Sequence, residues 1–353
     1  MLKVGCQRLN YLRIIFIVVF IVIRTSNTLS QRSYDLSKQH EELCEEIHET
    51  SKLYELRGRW DDAIRLLKIG VELSQDEEGS KRSEAALKSQ LGNILRLQRH
   101  FDEALPILLE AKTIAESVDD QQIIGDCLFY IGYVYDHKQL FNGDGDYNRA
   151  KDYYEQSLAV RDSIGDQRGI GFSLFRIGRI LEMQGDDKAA MSYYQRVRKI
   201  VEAQNFKVLA NYVYAHQGFI SEKEGNLDDA LMYAQLVLDI NREIGFKSDD
   251  PLSYLNLGRV YLKRGQRDTA LSYYFKSIEI AEEIGLKRSL PWSFHSIADL
   301  YYQESNTDSA LCYYEKTVSV ASELGVKNSA VTSSITKIRS IKGEDLDNSS
   351  EER

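Results

Sequence analysis

The chain has 353 residues, 28% of them charged and 43% hydrophobic, a globular balance and not a disordered one. Only three are proline, which leans the composition to helix, and a compact core stops growing near about 250–300 residues, which argues for a modular architecture. The net charge is −9, and it becomes −13 without residues 1–30, which carry four basic groups and no acid. That acidity argues against nucleic acid, whose phosphates demand a basic surface.

The N-terminus reads as a leader. Lys3, Arg8 and Arg13 precede the apolar run IIFIVVFIVI at 14–23, and TLS precedes Gln31, so residues 1–30 match a signal peptide cut after Ser30. A spanning helix wants about 20 apolar residues, twice this run. Arg24 beside the run is atypical, and a retained N-terminal membrane anchor is the alternative. The location expected is extracytoplasmic, periplasmic or secreted, with membrane contact only through an uncleaved N-terminus. Cys6 leaves with the leader, and Cys44, Cys127 and Cys312 are lone thiols with no zinc spacing.

A helical lead-in is expected over 31–43, and a repeat over 44–327. Ala63, Ala104, Ala150, Ala190, Ala230, Ala270 and Ala310 recur at intervals of 41, 46, 40, 40, 40 and 40. Twelve residues before most of them lies a glycine (Gly92, Gly178, Gly218, Gly258), with Ser51 and Ala298 in the end units and Gly132 displaced by an insertion. Gly165, Gly245, Gly285 and Gly325 close several units. Each unit reads as two helices: Tyr254, Leu257, Gly258 and Tyr261 share one helical face, Gly265 breaks it, and Ala270, Tyr274 and Ser277 repeat the spacing. Pro251 and Pro291 open first helices, where a missing N–H costs nothing. Pro106 lies about a turn into a second helix, which should start late or bend. Such a period means helix pairs that bury their faces only by stacking on copies of themselves.

The stretch YLNLGRVYLKRGQRDTALSYYFKS resembles the tetratricopeptide repeat almost throughout, in the longer-unit variety found among bacterial extracytoplasmic sensory arrays. The resemblance implies an all-α, right-handed solenoid of about seven helix-turn-helix units. A capping helix at 328–342 and a disordered acidic tail at 343–353 would follow. It also implies that first helices line a concave groove. The positions directed into it would be Phe129, Tyr133, Phe172, Phe175, Arg176, Arg179, Tyr212, Phe219, Asn256, Arg259, Trp292 and Tyr302. Rings and arginines are the chemistry of binding hot spots, although rings at helical spacing also serve as core. Arg179 and Arg259, charges on an inner face, would favour an acidic ligand or a C-terminal carboxylate, unless an acid such as Glu182 takes them up. Relatives that clamp a chaperone tail use lysine and asparagine. The matching places here hold Ser89/Asn93, Phe129/Tyr133 and Phe175/Arg179, where only Asn93 fits.

The insertion at 137–146 is the local novelty. Asn142, Asp144, Asp146 and Asn148 alternate like calcium-loop oxygens, but Arg149 stands where the turn requires glycine, so a longer polar turn or contact loop is the better reading. The six histidines are scattered with no HExxH, and no phosphate loop or nucleophile motif is present. No metal or cofactor is implied, and Cys312 reads as an incidental, part-exposed thiol. The expected function is a non-enzymatic scaffold that binds a protein segment or peptide. The alternative is a peptide-sensing receptor that changes conformation and signals through a separate partner.

Overall fold

The computed structural model describes residues 32–75, 80–245, 250–326 and 328–343. The proposed leader at 1–30 and all of the acidic tail beyond Gly343 lie outside them. Among the described residues there are fifteen α-helices and no strand, and the chain divides into two compact units that meet in sequence at 164/165. No described helix is long and apolar enough to cross a membrane.

The first unit holds α1 (Arg32–Leu56), α2 (Trp60–Ser74), α3 (Lys81–Leu97), α4 (Phe101–Ser117), α5 (Gln121–Asn142) and α6 (Tyr147–Ser163). Helices pack in consecutive pairs, each pair then lying on the next. The register alanines Ala63, Ala104 and Ala150 are fully buried, because the two helices of a pair touch there. Four residues on, Leu67, Leu108 and Tyr154 fill the space beside them and are also fully buried. Residues 32–56 form one continuous helix, so the expected lead-in and the opening half of the first repeat are a single element.

Two local expectations are corrected. The helix carrying Pro106 starts on schedule at Phe101, because the proline falls one turn in, where the absent N–H removes a single hydrogen bond from the ladder. The insertion is not mainly a polar loop: α5 runs 22 residues, to Asn142, against 17 for α6, and ends on left-handed Gly143. Asp146 then caps α6, its side chain accepting from the backbone N–H groups of Asn148 and Arg149 at 2.9 and 3.0 Å. Gly145 passes so close to α5 that a Cβ would fall 2.1 Å from the Gln139 nitrogen. Asp144 pairs with Lys138 at 3.3 Å, and no cluster of metal-ligating side chains occurs among the described residues.

The second unit holds α7 (Gln167–Met183), α8 (Asp187–Gln204), α9 (Lys207–Glu224), α10 (Leu227–Ile244), α11 (Asp250–Lys263), α12 (Arg267–Glu283), α13 (Leu290–Gln303), α14 (Thr307–Leu324) and α15 (Ser329–Lys342), with a 3₁₀ turn at Lys287–Ser289. Side-chain caps open α7, α8 and α14: Asp166, Asp186 and Asn306 accept from the N–H three residues on at 2.9, 3.0 and 3.2 Å. Gly185, Gly225 and Gly265 end the first helices in the left-handed region, and Ser305 holds the same place and conformation at a steric cost. α15 packs on α13 and α14, with Ala330 and Ser334 buried.

The period-40 packing rests on one contact. Tyr194, Tyr274 and Tyr314 lie four residues after their register alanines and are fully buried. Each such ring is worth about 2 kcal/mol of burial. In α7 and α11 the glycine of the register makes room for it. A Cβ on Gly178 would sit 2.7 Å from the Tyr194 ring, and one on Gly258 2.4 Å from the Tyr274 ring. In α13 the position is Ala298, whose methyl group packs in one cluster with Ala310 and Tyr314, so the seventh repeat accommodates a Cβ there.

Candidate functional site

On the first helices of the second unit, equivalent positions form rows. The row 18 residues before the register alanine reads Phe172, Tyr212, Leu252, Trp292. Phe172 is half-buried, whereas Tyr212, Leu252 and Trp292 are 38%, 54% and 40% exposed. Large apolar side chains thus stand in water at one repeat position on three successive first helices, a patterned patch and not a scatter of single residues. Phe219 and Tyr302, on α9 and α13, are also exposed, and Asn256 is half-buried.

The other expected groove residues fare differently. Phe175 is only 6% exposed and packs on Tyr194, Tyr212 and His216. In the first unit Phe129 is 8% exposed, against Tyr130 and Tyr154, with the Arg161 guanidinium 5.1 Å from its ring centre. Both rings are core, because their helical positions turn towards the paired second helix. Tyr133 stacks on His137 at 3.8 Å between centroids, under Arg96 at 4.0 Å. Arg176 is half-buried on α7.

The two inner arginines are taken up inside the protein. Arg179 lies 3.3 Å from Glu182 and 3.2 Å from His216 Nδ1. Arg259 reaches Glu222 at 2.7 Å, and Lys263 reaches the other oxygen of the same carboxylate at 2.8 Å. The expectation that these arginines await an external acid is therefore corrected: glutamates eight residues before Ala190 and Ala230 meet them. Burial opposes the charge on Glu182, yet hydrogen bonds from His216 and Tyr194 and the nearby Arg179 hold its carboxyl below the usual range. Burial pushes His216 down, against the pull of Glu182 and with the help of Arg179.

Four residues after the register alanine, Tyr154, Tyr194, Tyr274 and Tyr314 stand in the third, fourth, sixth and seventh repeats, and leucine stands in the first two. The fifth has Ala234. A cleft of about 200 Å³ opens there, lined among others by Gly218, Ala230, Ala234 and Val237, with Tyr212, Phe219, Leu252 and Asn256 from the first-helix face and Glu222 at one side. Gly218, unlike Gly178 and Gly258, is part-exposed, and a Cβ on it would meet no ring atom, but Tyr233 Cβ at 3.2 Å and the Ala230 carbonyl oxygen at 3.8 Å. The neighbouring Tyr233 does not swing in to fill the space; it stacks on Tyr214 with centroids 6.0 Å apart. Comparison of the seven units position by position would have found this gap.

Of the expected site residues, Tyr212, Phe219 and Asn256 line one cleft, with Arg259 joined to it through Glu222 and lying 5.9 Å from the Phe219 ring centre.

Comparison with known proteins agrees with this architecture. A solved signal-transduction ATPase with numerous domains and a tetratricopeptide repeat sensor, from Pyrococcus horikoshii, superposes with a TM-score of 0.65 at 17% identity. The match covers 89% of this chain and 46% of that one, so this chain spans less than half of the ATPase. The apo form of the quorum sensor NprR from B. thuringiensis gives 0.59 at 14% identity, covering 89% and 94%. A Rap protein complexed with competence and sporulation factor gives 0.56 at 15%, covering 82% and 81%. At such identities the likeness is one of fold. No curated protein matches. Two tetratricopeptide repeat models match the sequence, one over 132–203, 209–283 and 249–323, more than half of the chain, and one over 85–118. The chain belongs to the tetratricopeptide repeat family.

Proposed function

We propose that the protein is a non-enzymatic scaffold that binds a peptide or an extended protein segment on the first-helix face of its second unit. The observation that carries this reading is the exposed row Tyr212, Leu252, Trp292, rising at 40-residue steps beside an open cleft. An extended segment crossing successive first helices would bury one of these side chains against each helix it passes. Aromatic anchors are the usual source of binding energy at such contacts. The Rap protein solved with competence and sporulation factor supports a peptide ligand on this fold. The basic and then apolar N-terminus supports an extracytoplasmic location. Loss of residues 1–30 from the intact mass of the native protein would test that location.

The binding face is tested by selecting a displayed random peptide library on the full chain. Selected peptides are then measured against Tyr212→Ser/Leu252→Ser/Trp292→Ser, after circular dichroism has shown its helix content unchanged. The row holds the site if affinity falls about tenfold or more, since each truncated anchor costs 1 kcal/mol or more. Unchanged affinity would place the site elsewhere.

A further inference from the structure

The fifth-repeat cleft has a template within the chain itself. In the fourth repeat the Tyr194 ring lies over Gly178, beside Ala190, and its hydroxyl donates to Glu182 Oε2 at 2.7 Å. The glycine, alanine and glutamate of that receptacle recur 40 residues on as Gly218, Ala230 and Glu222, while Phe175 and His216, whose rings flank Tyr194, are replaced by the smaller Ala215 and Asn256. The side chain of Glu222 is 4% exposed and lines the cleft. A carboxylate has about four acceptor sites, and Arg259 and Lys263 each engage one oxygen, so a phenol can still be accepted there, as Glu182 accepts Tyr194 beside Arg179 and His216. The space suffices, because an apolar cavity of about 150 Å³ admits benzene.

We infer that the cleft of the fifth repeat is a socket for a tyrosine side chain of the bound segment, its ring lying on Gly218 and Ala234 and its hydroxyl donating to Glu222. This rests on the peptide-binding reading above and adds the residue the ligand must carry. Tyr212, Phe219 and Leu252 are the solvent-exposed members of the lining, so the entering side chain comes from a segment lying on the exposed row. Tyrosine fits better than phenylalanine because an apolar ring would leave the buried carboxylate edge without a donor on that side. A bulkier indole has no counterpart at this position in any repeat.

The test uses N-acetyltyrosinamide, with N-acetylphenylalaninamide beside it, on the full chain. Binding is followed by shifts of the Gly218 and Ala234 amide signals and by thermal midpoint. The socket requires three results: the tyrosine probe binds and moves those two signals, the phenylalanine probe binds several-fold more weakly, and binding vanishes in Ala234→Tyr. That variant restores the ring of the neighbouring repeats and should keep the fold. Ala234→Leu, the residue type at 67 and 108, serves if the tyrosine variant misfolds. Equal binding of the two probes, persistence of binding in both filled variants, or no binding to the wild type would each overturn the assignment. Library-selected peptides separate the two readings. If they lose affinity for the row variant but bind Ala234→Tyr unchanged, the binding face stands and the socket falls. If neither variant affects them, both fall.

Discussion

The register glycines predict opposite responses to one substitution. Gly→Ala within a helix gains about 1 kcal/mol of propensity where the methyl group has room. At Gly258 it has none: the new Cβ would lie 2.4 and 2.5 Å from two carbons of the Tyr274 ring and 3.1 Å from the Ala270 carbonyl oxygen. Carbon contacts sit near 3.5–4.0 Å, so the overlap exceeds about 1 Å. The ring is fully buried and cannot step aside, and α11 must move off α12. Overpacking of that kind costs about 1–3 kcal/mol, so Gly258→Ala should be destabilising by up to about 2 kcal/mol after the propensity gain. At Gly218 the nearest atom is Tyr233 Cβ at 3.2 Å and the next, the Ala230 carbonyl oxygen, is at 3.8 Å. A shift of a few tenths of an ångström into the open cleft relieves it, and Gly218→Ala should be neutral to stabilising by about 0.5–1 kcal/mol. The assay is native-state hydrogen exchange of the amides in α9–α10 and α11–α12, because repeat arrays open locally and one global unfolding energy is ill-defined. A double-mutant cycle sharpens the comparison. In an Ala234→Tyr background, Gly218→Ala should turn destabilising, with a coupling of about 1–3 kcal/mol. If Gly218→Ala and Gly258→Ala change protection in the same direction, or the cycle is additive, the ring-on-glycine account is wrong.

Ser305 occupies a left-handed turn at φ 59° where the equivalent places in four repeats hold a left-handed glycine (Gly58, Gly185, Gly225, Gly265), so Ser305→Gly should stabilise α13–α14 by about 0.5–1 kcal/mol, read as slower exchange at the start of α14. His216 bears on the pH response. Its pKa in the folded protein lies below the ordinary 6.5, so below that value the unfolded chain takes up a proton that the folded one refuses. Protection of α9 should therefore fall as pH drops from 6.5, and His216→Gln should flatten that slope. Glu182, held below 4.5, contributes in a separate window beneath that value. A slope unchanged in His216→Gln would refute the assignment.

The fold was readable because its determinants are local and repeated: glycine and alanine at fixed steps mark where two helices touch, and left-handed glycines mark where each ends. Partnerships across repeats were harder to read. The sequence puts Arg179 and Arg259 on an inner face, but the acids that engage them depend on how far each pair is rotated on the next. Arg259 meets Glu222 from 37 residues away, and Arg179 meets Glu182 on its own helix together with His216. Phe175 was misplaced for a related reason, since its position borders both the groove and the pair interface, and only the neighbouring Tyr194 and His216 rings decide which claims it.

The exception at Ala234 follows a different logic. Removing a buried ring costs about 3–5 kcal/mol in an ordinary core, where the loss falls on the whole domain. In a stack whose units touch only their neighbours, the loss is confined to α9, α10 and the helices beside them. The fifth repeat can therefore stay open while Tyr194 and Tyr274 keep the repeats on either side filled and rigid. A hole held between two closed copies of itself is preorganised, since a ligand ring entering it need not displace a side chain or separate the helices. The same argument predicts that Tyr274→Ala should loosen α11–α12 and open a second cleft there, but not a second tyrosine socket. Leu262 stands in the sixth repeat where Glu182 and Glu222 stand in the fourth and fifth, so that cleft has no glutamate placed to accept the phenol as Glu182 does, and Glu222 and Asp299 act on the Tyr274 hydroxyl through their charge alone. N-acetyltyrosinamide and N-acetylphenylalaninamide should bind it equally, and a clear preference for tyrosine there would show that selectivity arises from the ring's surroundings and not from the glutamate.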